Sequence, residues 1–125
     1  MSSMSYRIAT SENGKHMVIQ VLEPLNRALA QEIVKELLDR DRECGLAKYL
    51  FDLREAPMAE QSSESYLLAY RDLADLGFPR SARLSLLAKS GDRSHEFLAT
   101  VLKNAGYDGR IFNDEDLAAA WLVAR

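Results

Sequence analysis

Short apolar runs alternate along this chain with longer segments that have the apolar spacing of amphipathic helices. Strands are predicted at residues 5–10, 15–22, 46–53, 82–89 and 108–112. Helices are predicted at residues 23–45, 62–77, 92–106 and 113–125. Strands that alternate with helices pair in parallel through right-handed crossovers. The sequence therefore predicts an α/β fold with a mixed, mostly parallel sheet and the element order β-β-α-β-α-β-α-β-α.

The first two strands form the one antiparallel pair that we expect. Asn13 and Gly14 lie between them, and both residue types tolerate the positive φ of a hairpin turn. The first helix is expected to hold Pro24 in its first turn and to end at Gly45. The apolar run 49–51 lacks alternation, which is typical of a strand that is covered on both faces.

Helical spacing predicts which side chains of the later helices are buried. Phe97 is expected on the inward face of the third helix. Leu117 and Trp121 follow the same spacing in the last helix, and we expect Trp121, the only tryptophan, to fill the core. Tyr66 and Tyr70 belong to a wide apolar arc of the second helix, and their polar tips suit the edge of an interface.

Composition limits the classes of protein to which this chain can belong. Its 125 residues predict one domain, residues 1–125, that is large enough for a core. A net charge of −3 with scattered basic residues argues against nucleic-acid binding. No apolar run is long enough to span a membrane, and the N-terminus lacks the apolar segment of a signal peptide. Because Cys44 is the only cysteine, we expect a cytoplasmic protein without an internal disulfide.

The stretch YLFDLREA, residues 49–56, places charged side chains directly after an apolar strand. Asp52, Arg54 and Glu55 stand where the predicted strand ends. Ligands and partners bind at the carboxyl ends of strands in open α/β sheets, so these three residues are a candidate binding site. The alternative is that the strand simply leaves the core here, with Asp52 and Arg54 as an ion pair of the loop.

A second candidate site follows the fourth strand, in the stretch KSGDRS. Ser90, Gly91 and Arg93 precede a predicted helix, whose N-terminus attracts anions, and Lys89 adds positive charge. The alternative is structural, because any loop between a strand and a helix needs a turn and a cap.

Three serines, Ser62, Ser63 and Ser65, lie where the second helix is predicted to start. A serine there caps the helix by accepting a hydrogen bond from an early backbone N–H, and Ser63 is the preferred candidate. One serine suffices for a cap, and a phosphate on a spare serine is favoured by the helix dipole. Because Glu60 and Glu64 add negative charge at this position, capping is the preferred interpretation over phosphorylation.

Catalytic and metal-binding patterns are weak in this sequence. His16 and His95 are the only histidines, and together with the single cysteine they make no metal-binding set. Ser94 and His95 are neighbours on a predicted helix, where adjacent side chains point apart, so no nucleophile–base pair is expected. The glycines form no phosphate-binding motif. We therefore expect no metal, no cofactor and no enzymatic activity.

Four stretches carry a resemblance to a known family: YRIATSENGKHMVIQVLEPL, YLFDLREA, RLSLLAKSGDRSHEFLATVLKNAG and RIFNDEDLAAAWL. The chain resembles the SpoIIAA-like proteins, a bacterial group related to STAS domains and more distantly to CRAL-TRIO lipid-transfer domains. The resemblance implies a partner switch, because STAS domains of anti-sigma factor antagonists bind a kinase and are phosphorylated on a serine after an Asp-ended strand. Asp52 matches that Asp, whereas the serines follow a longer loop without the glycine of a D-S-S-G or D-S-T-G pattern.

These observations predict a non-enzymatic binding or regulatory module of the STAS-like type with a protein partner. The first alternative, implied by the lipid-transfer relatives, is a carrier of a lipid or small apolar ligand, which needs an apolar cavity. The second alternative is an enzyme of a type without a recognisable motif. Because helices spread unevenly over a sheet leave a face or an edge to cover, we also expect a two-fold homodimer.

Overall fold

The computed structural model describes residues 5–59 and 62–124. Its strands are β1 (Tyr6–Thr10), β2 (Met17–Val21), β3 (Lys48–Asp52), β4 (Arg83–Leu87) and β5 (Asp108–Phe112). Its helices are α1 (Arg27–Cys44), α3 (Glu96–Asn104), α4 (Glu115–Val123) and a composite α2. Helix α2 runs from Ser62–Leu67 through a π-helical segment, Leu68–Asp72, to a last turn, Leu73–Asp75. The predicted α/β class and element order are confirmed.

The strands lie in the sheet in the same order as in the chain. β1 pairs antiparallel with β2, and β3, β4 and β5 each pair in parallel with the strand before them. Gly14 has a φ of +71° in the hairpin turn, as the sequence predicts. Because each right-handed crossover steps to the next strand in the same direction, α1, α2 and α3 all lie on one face of the sheet.

The main core fills the space between this face and the three crossover helices. Its fully buried side chains include Ile19 of β2, Ile33 and Leu37 of α1, and Tyr49 of β3. Burial removes apolar area from water at about 25 cal/mol per Å², so this layer contributes most of the hydrophobic stabilisation.

Caps fix both ends of α1. Asn26 Oδ1 accepts a hydrogen bond from Leu29 N at 2.7 Å, so the helix begins after this residue and not at Pro24, as the sequence predicts. At the other end Gly45 has a φ of +62° and ends the helix at the predicted residue. Glycine adopts this left-handed conformation without the penalty that a side chain brings.

A buried carboxylate joins the end of α1 to β3. Asp41 accepts hydrogen bonds from Leu46 N and Ala47 N, both at 2.9 Å, and from the Tyr49 hydroxyl at 2.6 Å. These bonds hold Ala47 in the left-handed region, with a φ of +52°. Burial, together with Asp41, raises the pKa of Tyr49 well above its ordinary value. The position at which β3 enters the sheet therefore depends on Asp41.

The opposite face of the sheet is covered by α4. Ala118 and Leu122 are buried against Leu50 of β3 and Leu87 of β4. Ser85 Oγ donates a hydrogen bond to the Ala118 carbonyl oxygen at 2.8 Å, which fixes the helix above β4. This smaller cluster is separate from the main core.

The part of this face that belongs to β1 and β2 lies beside α4 and is open to solvent. The register places Arg7 beside Gln20, and Ala9 beside Val18, which is in turn beside Leu50. Arg7 and Ala9 are exposed, while Val18 and Gln20 are half-buried. We call Arg7, Ala9, Val18 and Gln20 the open half of the sheet.

Two burial predictions are wrong by one helical position. Phe97 is 43% exposed and its neighbour Leu98 is buried instead, because α3 begins only at Glu96 and the residues before it form a loop. Leu117 is 62% exposed and its neighbour Ala118 is buried instead. Helix α4 is apolar on nearly all sides, so spacing alone does not select its buried face.

Trp121 is half-buried, in contrast to the core position that the sequence predicts. Its ring centroid lies 5.8 Å from that of Phe112. The guanidinium carbons of Arg83 and Arg110 lie 5.5 Å and 5.0 Å from the same ring centroid, which is within the range of cation–π contacts. The ring therefore closes the side of α4 next to β5, and Leu122 is the buried anchor of the helix.

We expect Leu98→Ala to lower the free energy of unfolding by about 2–5 kcal/mol, because it removes buried methyl groups and leaves a cavity. Phe97→Ala is the matched control and should cost about 1 kcal/mol or less, since its ring is largely in water. Urea denaturation followed by circular dichroism measures both values. A greater loss for Phe97→Ala would show that the burial of these two neighbours is assigned the wrong way round.

Candidate functional site

Three loops meet at the carboxyl edge of the sheet and are tied together by hydrogen bonds. Leu25 N donates to Pro57 O at 2.9 Å, and Ala59 N donates to Leu25 O at 2.8 Å. These bonds join the loop before α1 to the loop before α2. Met58 N donates to Ser94 Oγ at 2.9 Å and joins the second loop to the loop before α3. The residues of this edge therefore move as one unit.

The structure brings Asp52 and Arg54 together with Glu115. Arg54 donates from Nε and Nη2 to the two carboxylate oxygens of Asp52, at 2.9 Å and 2.8 Å. Arg54 Nη2 also reaches Glu115 Oε1, in the first turn of α4, at 3.2 Å. Burial raises the pKa of Asp52, but the hydrogen bonds from Arg54 outweigh burial and hold that pKa below its ordinary value. The cluster links the end of β3 to the start of α4.

The other predicted residues lie outside this cluster. Glu55 is exposed in the next turn, and Ser90 and Gly91 form an exposed turn after β4. Arg93 donates two hydrogen bonds to the Glu96 carboxylate, at 2.9 Å and 3.1 Å. The guanidinium that the sequence offers to an anion at the start of α3 is therefore already paired with a carboxylate.

His95 is fully buried at the end of the same loop. Its Nε2 lies 2.8 Å from the carbonyl oxygen of Ala56, and because a carbonyl only accepts, we assign the hydrogen to Nε2. Its Nδ1 lies 3.8 Å from Asp92 Oδ2. Hydrogen bonds from Ser94 lower the pKa of Asp92. His95 and Ser94 thus bond to the backbone of a neighbouring loop, and the two side chains do not form a nucleophile–base pair.

Groups of three or more His, Cys, Asp or Glu side chains that would suit a metal ion are absent from residues 5–59 and 62–124. His16 precedes β2 at the amino edge of the sheet, whereas His95 lies at the carboxyl edge. Burial lowers the pKa of His16. Cys44 is exposed at the end of α1. Across the same described residues, none of the helices combines the length and the apolar character that a membrane span requires.

The serines lie one position later in α2 than a cap requires. Ser62 is the first residue of the helix and Ser63 the second, whereas an N-cap precedes the first helical residue. Residues 60–61, which include the predicted charge of Glu60, lie outside the described residues. Ser63 is exposed and Ser65 is buried. Phosphorylation stays a prediction, for which Ser63 offers the accessible hydroxyl.

An ion pair between α1 and α2 was missed in the sequence. Asp72, 5% exposed, accepts hydrogen bonds from Arg27 Nε at 2.6 Å and from Arg27 Nη2 at 2.9 Å. Glu64 contacts the same guanidinium at 3.3 Å. Asp72 ends the π-helical segment of α2, and a π-turn shifts the residues after it around the helix axis. The hydrogen bonds from Arg27 lower the pKa of Asp72 despite its burial.

Exposed aromatic side chains lie on two neighbouring helices. Tyr66 and Tyr70, one turn apart on α2, are 51% and 41% exposed, and their ring centroids are 4.5 Å apart. Phe97 lies on α3, which packs beside α2. We call Tyr66, Tyr70 and Phe97 the aromatic surface. The sequence indicates the tyrosines as edge residues, but the exposure of Phe97 depends on where α3 begins.

An apolar cavity of about 50 Å³ lies inside the main core. Its lining includes Val21 and Phe51 of the sheet, Ile33 of α1, Leu68 of α2 and Leu98 of α3. The sequence gives no signal for this cavity, because the same residue types line a core that is fully packed.

Comparisons with known proteins give no assignment. No protein-family model matches the sequence, and no curated protein is significantly similar to it. The resemblance to SpoIIAA-like proteins therefore depends on the four quoted stretches alone and stays a prediction.

We expect the Arg27–Asp72 pair to make stability depend on pH in the acid range. Because Arg27 lowers the pKa of Asp72 below its unfolded value of about 3.9, its contribution is present above that pH and is lost as the pH falls through the folded pKa. Arg27→Met leaves the Asp72 carboxylate buried without its partner, so it should destabilise at pH 7 and the difference from wild type should shrink below about pH 4.

Urea denaturation from pH 3 to pH 7, a range chosen to bracket the ordinary carboxyl pKa of about 4, measures this dependence. Arg42→Met is the matched control, because Arg42 pairs with Asp39 on the exposed side of α1, and such pairs contribute little. Equal effects of the two substitutions at pH 7 would contradict a structural role for the Arg27–Asp72 pair.

Proposed function

We propose that this protein is a non-enzymatic binding or regulatory module of the STAS-like type that acts in the cytoplasm on a protein partner. The observation that carries the proposal is the aromatic surface. Among the described residues, the exposed large apolar side chains are Tyr66, Tyr70, Phe97 and Leu117. All but Leu117 lie on two adjacent helices of one layer.

The chemistry of the aromatic surface favours a protein as the partner. Aromatic residues are enriched in protein interfaces, and tyrosine combines an apolar ring with a hydroxyl on a side chain of few rotatable bonds. Tyr66 and Tyr70 are already stacked, so binding costs less side-chain entropy. The Arg27–Asp72 pair fixes α2 beneath them, which presents the surface on a rigid element.

The carboxyl edge supports the same proposal to a smaller degree. Arg54, Glu55 and Arg93 are exposed there, and the turn of Ser90 and Gly91 lies beside them in the chain. Arg54 and Arg93 each pair with a carboxylate of this chain, so we assign them to the polar rim of a partner contact.

Replacement of the tyrosines should remove partner binding and leave the fold intact. We expect Tyr66→Ser with Tyr70→Ser to reduce capture of the partner by about tenfold or more, since buried tyrosines are frequent hot spots of interfaces. The measurement is quantitative mass spectrometry of proteins captured from native cell extract by tagged wild type and variant, with thermal melting to verify folding.

Leu117→Ser is the matched control, because Leu117 is equally apolar and exposed but lies on the opposite side of the sheet. Every protein bound by the wild type should also be bound by this control. If the folded double variant captures the same proteins in the same amounts as wild type, the aromatic surface is not the binding surface.

The cavity favours one alternative function, a carrier of a small apolar ligand. A cavity of about 150 Å³ takes up benzene, so the cavity of about 50 Å³ must enlarge for any lipid. The π-helical segment of α2, a rare geometry that is frequent at functional sites, lines it through Leu68. This segment is the part of the helix layer that we assign to such an opening.

Native mass spectrometry of protein purified without organic solvent tests the carrier alternative. A carrier should retain an apolar adduct of defined mass, and Ala30→Leu, which fills the cavity lining, should lose it. Ala28→Leu is the control, since Ala28 is exposed on the same helix. Wild-type protein that shows only the mass of the chain excludes this alternative.

A further inference from the structure

Two surfaces on the same side of the molecule lack a covering element in the described part of the chain. One is the open half of the sheet, on β1 and β2. The other is the outer side of α4, where Asp116, Leu117 and Ala120 are exposed. A helix that is apolar on nearly all sides is typical of burial on all sides, yet α4 buries one stripe, Ala118 and Leu122.

We propose that a second copy of this chain covers this side, so that the α4 helix of each copy lies on the open half of the other. The two sheets then face each other across a layer formed by two α4 helices. Each sheet is covered on one half by its own α4 and on the other half by that of the second copy. This gives the expected homodimer a specific interface, which is independent of the aromatic surface on the other side of the sheet.

Two-fold symmetry determines the orientation of the copies. A two-fold axis that exchanges two facing sheets lies in the plane between them. An axis perpendicular to the strands would place each α4 on the α4 of the second copy. An axis parallel to the strands, at the border between the covered and the open half, places each α4 over β1 and β2 instead. Only the second orientation covers the open half.

The same axis determines which end of α4 meets which edge of the sheet. Helix α4 starts beside Arg54 at the carboxyl edge and ends beside Arg83, the first residue of β4, at the amino edge. An axis parallel to the strands preserves this direction. The first turn of the second copy's α4 therefore lies at the carboxyl edge of the open half.

Charge complementarity at that edge favours a second copy as the occupant. Arg7 is exposed on the open half, in the row that continues through Gln20 to Asp52 at the carboxyl end of β3. Asp116 is exposed in the first turn of α4. No ion pair joins Arg7 or Asp116 to another of the described residues. The proposed dimer brings each Arg7 to the Asp116 of the other copy, so the contact occurs twice.

The sizes of the facing side chains agree with a close contact. Ala9 and Val18 are the apolar residues of the open half, and Ala120 is exposed on the outer side of α4. Small side chains on both surfaces allow the helix to approach the sheet closely, and Leu117 adds apolar area at the start of the contact.

Analytical ultracentrifugation of the full chain tests the interface. At micromolar concentration we expect wild-type protein to sediment at twice the chain mass of 14.1 kDa. Ala120→Arg should sediment as a monomer, because it places a long charged side chain in the centre of the contact. Ala28→Arg, the same change at an exposed alanine of α1, should remain dimeric. Circular dichroism and thermal melting verify that both variants fold.

Charge reversal tests the orientation. Arg7→Glu and Asp116→Arg should each raise the dissociation constant of the dimer by about tenfold or more, since each places like charges together twice. The double variant should return to within about threefold of wild type, because it restores opposite charges. An equimolar mixture of the two single variants should form heterodimers for the same reason.

Three results would overturn this proposal. One is wild-type protein that remains monomeric at micromolar concentration. Another is a dimer that Ala120→Arg leaves intact. The third is a dimer that is lost in the Tyr66→Ser and Tyr70→Ser variant but persists in Ala120→Arg, which would move self-association to the aromatic surface. Failure of partner capture by the aromatic surface leaves these measurements unaffected, so the two proposals fail separately.

Discussion

The structure depends on one topological constraint, which is that each parallel strand lies directly beside the one before it. Because the crossovers are right-handed and all step in the same direction, they place α1, α2 and α3 on a single face of the sheet. That face acquires a complete core. The other face receives only α4, whose short contact over β3 and β4 leaves β1 and β2 uncovered. The division between a covered and an open side is therefore a consequence of strand order.

Buried carboxylates fix the elements within this arrangement. Asp41 ties the end of α1 to the start of β3, and Asp72 ties α2 to α1. A buried carboxylate costs free energy unless its hydrogen bonds are satisfied, so each one specifies a single arrangement of its neighbours. The carboxyl edge is fixed in the same manner, through Asp52 with Arg54 and through His95 with Ala56. Its charged groups are largely satisfied by each other.

This distribution of contacts separates structural from available surface. The polar edge of the sheet is internally paired, whereas the aromatic surface and the outer side of α4 present apolar groups to solvent. The two exposed surfaces lie on opposite sides of the sheet. In the proposed dimer, the two aromatic surfaces therefore face away from each other, and one dimer presents two equivalent binding surfaces. Such an arrangement increases avidity for a partner that is itself multivalent.

The sequence by itself determined the class of fold, the order of its elements, the hairpin at Gly14 and the end of α1 at Gly45. These features depend on local patterns, namely apolar periodicity and residues that adopt a positive φ. Tertiary structure alone decided which sides of α3 and α4 are buried, and so exposed Phe97 and Leu117. It also brought together Arg27 with Asp72 and Arg54 with Glu115, which are 45 and 61 residues apart in the chain. The physical reason is that a helix rich in apolar residues offers several faces for burial, and only the packing of distant elements selects one of them.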